Sequence, residues 1–119
     1  MGSRAFDLWC QNLRSAGDRS YIHPNVWTYI CLIDARAAAA RYLRGVAPEY
    51  GPPGKSLVSA AEFFEREVRI LTEGYRFVPA EVSFPDSMPP QEMRERQIEV
   101  LMKAKTLEEQ AISELEKAL

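Results

Sequence analysis

The chain has 119 residues, 46% of them hydrophobic and 27% charged, with a formal net charge of −2. That composition fits one globular domain that buries a core without disulfides or metals, and it leaves no basic excess for a nucleic-acid partner. No apolar run approaches the roughly 18–20 residues needed to cross a membrane and no secretory leader is visible, so a cytoplasmic protein with no membrane contact is expected.

Met1, Gly2 and Ser3 read as a vector-derived scar, which leaves 4–119 as a single domain that begins abruptly in a helix, as a domain cut from a longer protein would. The first helix is expected over Arg4–Ser15, with Phe6, Trp9, Cys10 and Leu13 on one face at helical spacing and Gly17 as its stop. Asp18 to His23 reads as a polar connection. The second helix is expected from Pro24 to about Arg44, started by a first-turn proline and ended by Gly45 and Pro48. Val26, Ile30, Ile33, Ala37 and Ala40 form its expected inward face, flanked by Trp27 and Cys31. Cys10 and Cys31 both fall on apolar faces, as buried reduced thiols or as a bridge between the first two helices.

Tyr50-Gly51-Pro52-Pro53-Gly54 is a stiff connector. A third helix is expected over Ser56–Arg76, with Leu57, Ala61, Phe64, Val68, Leu71 and Tyr75 as its core stripe. Phe63, Ile70 and Phe77 form a second stripe on the far side, which suits contact with another domain or a second copy. The stretch from Phe77 to Pro90 holds several prolines but also Val78, Val82, Phe84 and Met88, so it is expected to lie across the bundle as a strap. Asp86 or Ser87 caps the last helix, which runs to about Lys117. The expected fold is therefore all-α: a four-helix antiparallel bundle with a short first helix, a long last helix and a proline-rich strap between the third and fourth.

The charges that fall on apolar faces are the sharpest functional signal. Glu108 and Gln97 sit inside the apolar sector of the last helix, and Asp34 and Arg41 fall among the apolar residues of the second. Ionised groups facing a core are costly unless paired, so they mark an internal ion-pair network or a binding pocket. In the network, Arg41 bridges to Glu108 and fixes helix register, with Asp34 held by Arg69, Tyr75 or a helix end. In the pocket, Trp27, Asp34, Arg41, Tyr75 and Glu108 receive a small aromatic or cationic ligand. No metal and no cofactor are expected: His23 is the single histidine, the cysteines are dispersed and no phosphate-binding glycine loop is present. No catalytic residue is assigned.

Three segments together carry a family resemblance: Ile33-Asp34-Ala35-Arg36-Ala37-Ala38-Ala39 with Tyr42-Leu43, then Ala60-Ala61-Glu62-Phe63-Phe64-Glu65-Arg66-Glu67, then Arg94 to Leu101 running on to Glu109. Their order resembles the helical domains of bacterial proteins of the butirosin-biosynthesis-H type, which accompany a cysteine-peptidase-like catalytic domain or occur as helical units of their own. The resemblance implies an accessory helical domain that contacts another domain or shapes a pocket, beside an acyl-transfer or hydrolase-like enzyme. The leading expectation is a non-catalytic interaction domain that docks a partner or forms a homodimer through an apolar helix face. The alternative is a small-molecule binding domain.

Overall fold

The computed structural model describes residues 2–16, 21–79 and 90–119. These residues form four α-helices: α1 (Ser3–Arg14), α2 (Ile22–Val46), α3 (Gly54–Gly74) and α4 (Pro90–Lys117). Short 3-10 turns at Ala47–Tyr50 and Tyr75–Phe77 extend α2 and α3. The result is the all-α antiparallel bundle, elongated at 52 × 21 × 19 Å. Gly17, Asp86, Ser87 and most of the proline-rich strap lie outside the described residues.

The helices outrun the expected boundaries where burial outweighs local stop signals. α2 starts two residues before Pro24 because Ile22 is buried, and a proline in the first turn lacks only an N–H that would be unpaired there anyway. Gly45 does not stop the helix. The chain continues through Val46 into a 3-10 turn that buries Ala47, and Gly51 reverses it with φ of 62°. At Gly54 a Cβ would stand 2.3 Å from the Ala47 carbonyl oxygen, so only glycine lets α3 begin so close to the end of α2.

α3 is the central helix, packed along both α2 and α4, while the backbone of α1 comes close to that of α4 alone. Among the described residues the backbones of α1 and α2 never come within 8 Å (Cα to Cα), nor do those of α2 and α4. Side chains bridge both gaps. At one end Phe6, Cys10 and Leu13 of α1 meet Tyr29, Leu32, Leu71, Leu101 and Ala104. At the other end, beyond the reach of α1, Ala40, Ala60, Ala61 and Ala111 pack with Leu43, Leu57 and Phe64. The small side chains there let three helices close on one another without a fourth. The short α1 therefore covers part of α4 and leaves the remainder to a three-helix arrangement.

Tyr29 ties the centre. Its ring is fully buried, stands edge-on to Trp9 at 6.2 Å, and its hydroxyl donates to the Leu71 carbonyl at 2.6 Å. Burial pushes the phenol well above its ordinary pKa, so it stays a neutral donor. Gly74 makes this possible, because a Cβ there would lie 2.7 Å from both Val100 methyls and 2.9 Å from the Tyr29 hydroxyl.

Candidate functional site

Three ionisable side chains meet in the interior, at the level that separates the two apolar clusters. Arg36 from α2 donates through Nε to Glu108 Oε1 from α4, and the same Nε lies 3.8 Å from Glu67 Oε1 from α3. Glu67 and Glu108 are buried, and Arg36 is 15% exposed. Both Glu67 oxygens and Glu108 Oε2 lack a hydrogen-bond donor among the described residues. One guanidinium cannot satisfy two buried carboxylates, and the remaining acceptors need a proton. Burial, then the hydrogen bond and charge of Glu108, push the Glu67 carboxyl up to about 9, with Arg36 pulling it back. Glu67 is thus held as a neutral carboxylic acid at neutral pH, beside the Glu108 carboxylate that accepts from Arg36.

A second polar unit sits toward the α1 end. Asn25 and Gln97 form a reciprocal amide pair, with Asn25 Nδ2 donating to Gln97 Oε1 at 2.9 Å and Gln97 Nε2 donating to Asn25 Oδ1 at 2.7 Å. Trp9 Nε1 donates to the same Asn25 oxygen at 2.8 Å. Both amides are buried, so this unit joins α1, α2 and α4 with its polar atoms satisfied.

These geometries correct the reading of α2. Its buried face is Ile22, Asn25, Tyr29, Leu32, Ala40 and Leu43, with Arg36 in the same sector. Val26, Ile30, Ile33 and Ala37 each stand one position later, and none of them is buried. Asp34 and Arg41 accordingly face solvent, and the partner of Glu108 is Arg36, not Arg41. Trp27 is 65% exposed, and Cys31 is exposed and unbridged, whereas Cys10 is buried and unbridged with its thiol pushed up by burial. Tyr75, expected in the core stripe of α3, is 38% exposed and leans on Tyr29 with ring centroids 6.0 Å apart. The five residues expected to form one pocket therefore do not converge: three face outward, one lies at the end of α3 and Glu108 is interior.

No protein-family model, curated protein or solved structure matches the chain.

Phe63, Ile70 and Phe77, the expected interface stripe, are each half-buried. Phe63 packs on the alanine-rich cluster with the Arg66 guanidinium 5.4 Å from its ring, and Arg76 stands 4.8 Å from the ring of Phe77. The chain's own arginines thus partly cover that stripe. The outer face of α2 is the more exposed surface. It presents Trp27, Ile30, Cys31, Asp34, Ala38, Arg41 and Tyr42, with Tyr42 68% exposed. Neither Asp34 nor Arg41 forms an ion pair among the described residues.

A groove of about 420 Å³ lies where α1 and α2 stand apart, lined by Leu8, Trp9, Tyr21, Pro24, Asn25 and Thr28 among others. The Tyr21 hydroxyl is buried without a partner among the described residues. Among those residues no group of three or more His, Cys, Asp and Glu side chains is placed to hold a metal, and no helix is long and apolar enough to cross a membrane.

Proposed function

We propose that this chain is a non-catalytic helical interaction domain that docks its partner through the outer face of α2. One observation carries the reading. α2 carries large apolar side chains on two opposite faces, and its own bundle uses only one of them. A helix that is apolar all round is ordinarily covered all round, so the face bearing Trp27, Ile30 and Tyr42 lacks its cover. Exposed tryptophan and tyrosine are also the side chains that most often anchor protein interfaces. The interior ion cluster fits this reading as architecture: it joins three helices, and none of its members lines the α1–α2 groove.

The test is to replace Trp27 and Tyr42 together by glutamate. Stability to urea is expected to stay within about 0.5 kcal/mol of the parent, as for surface substitutions, while association is lost. A fall in stability of several kcal/mol would mean that the face belongs to the chain's own fold, and the reading would fail.

A second reading is favoured by the lining of the α1–α2 groove, where Leu8, Trp9 and Tyr21 meet: it takes a small aromatic molecule. Phenol or indole is then expected to raise the melting temperature saturably, and Leu8→Trp, which fills the groove, to remove that effect. The accessory role beside an acyl-transfer or hydrolase-like domain is supported by the sequence resemblance alone.

A further inference from the structure

The outer face of α2 has an internal symmetry that names its occupant. Trp27, Cys31, Asp34, Ala38, Arg41 and Gly45 recur at alternating spacings of four and three, the spacing of a coiled-coil seam, and all are exposed. One set of positions carries Trp27, Asp34 and Arg41. The other carries Cys31, Ala38 and Gly45, whose small side chains let a second helix come close. Asp34 and Arg41 are one heptad apart, about 10 Å along the axis, too far to neutralise each other within the helix.

We propose that this face binds a second copy of the chain, with the two α2 helices antiparallel about a two-fold axis passing near Ala38. The proposal rests on the reading of α2 as a docking face and adds the partner and its register. An isologous pairing brings the same patch of both copies together, so each contact is made twice. With the axis between Ala37 and Ala38, Asp34 of one copy lies opposite the partner's Arg41, and Arg41 opposite the partner's Asp34. Ile30 falls against the partner's Gly45, and Tyr42 covers the partner's Cys31 and Ala35. Parallel pairing would set Asp34 on Asp34 and Arg41 on Arg41. Polar residues within a seam are the usual device for fixing orientation and register, and these two permit only the antiparallel arrangement. Charge complementarity therefore selects a second copy over an unrelated partner, because the face complements itself.

The experiment is a charge-swap cycle read by sedimentation equilibrium from micromolar to millimolar concentration. The parent is expected to dimerise. Asp34→Arg and Arg41→Asp, each placing like charges opposite one another twice, are expected to weaken the dimer by at least about tenfold. The double variant, which restores both pairs with their signs exchanged, is expected to recover it. A monomeric parent, indifferent single variants or an unrecovered double variant each overturns the proposal. The interaction reading fails separately, on loss of stability in the Trp27 and Tyr42 variant. A covalent check combines Ala38→Cys with Cys31→Ser. Mild oxidation is expected to trap that variant as a disulfide-linked dimer, while the parent, whose Cys31 residues would stand about 20 Å apart along the axis, does not cross-link. Cross-linking of the parent through Cys31, with none in the Ala38→Cys variant, would contradict the register.

Discussion

Arg36 donates to Glu108 across the interior of the bundle, from α2 to α4, two helices whose backbones do not touch. The pair fixes the distance and register of those helices through side chains alone, with the Glu67 carboxyl of α3 beside it. Breaking a buried pair by removing one partner strands the other charge, at a cost of about 3–5 kcal/mol. Arg36→Met is expected to lower stability by that order, with a smaller loss for Glu108→Gln, which keeps an acceptor for Arg36. A double-mutant cycle in urea unfolding is expected to show strong coupling between Arg36 and Glu108 and none between Arg41 and Glu108.

Glu67 gives the fold a pH dependence of defined sign. Its carboxyl is held up to about 9 in the folded protein, against an ordinary value of 4.5. The folded state therefore binds a proton that the unfolded chain has released over that interval. The stability this group contributes is complete below about 4.5 and is lost as pH rises toward about 9, by up to about 1.4 kcal/mol per pH unit. Glu67→Gln mimics the protonated acid. Urea unfolding across pH 5–9 is expected to show a flatter profile for the variant, with stability at pH 8 equal to or above that of the parent. An unchanged slope would mean that Glu67 is ionised in the folded protein.

The amide unit predicts a loss of a different kind. Asn25→Ala leaves the Trp9 indole N–H and the Gln97 amide unsatisfied in the interior, each at about 1–3 kcal/mol. Replacing Asn25 and Gln97 together by leucine removes both sides of the pair and is expected to cost less than the sum of the single changes, read by chemical unfolding.

Gly74→Ala should destabilise by about 1–3 kcal/mol, since its Cβ would collide with Val100 and with the hydroxyl of Tyr29. The near-ultraviolet signal of Tyr29 and Trp9 is the reporter, because the rotation needed to relieve the clash disturbs both rings.

The fold class was legible because α4 has one clear apolar sector. Met93, Ile98, Leu101, Ala104 and Ala111 stand out against charged neighbours and are buried, with Gln97 and Glu108 enclosed among them. α2 was not legible in the same way. Its apolar residues circle the helix, so Val26, Ile30, Ile33 and Ala37 make as good a stripe as the true one, which is interrupted by Asn25 and Arg36. Those two polar residues turn inward because partners wait for them on α3 and α4, and such pairing has no period within α2 itself. A usable signal existed: Glu67 shares a face with Leu57, Ala60, Phe64 and Leu71, so two acidic groups faced the core and required a cation between them. Arg36, one turn from both Leu32 and Ala40, was the residue positioned to supply it.

Whether the outer face of α2 docks a second copy is decided by sedimentation equilibrium on the parent and on the Trp27→Glu, Tyr42→Glu variant, with urea unfolding of each. A concentration-dependent dimer is expected for the parent and a monomer of unchanged stability for the variant. A variant that keeps the parent's mass, or that loses several kcal/mol of stability, would overturn the docking proposal.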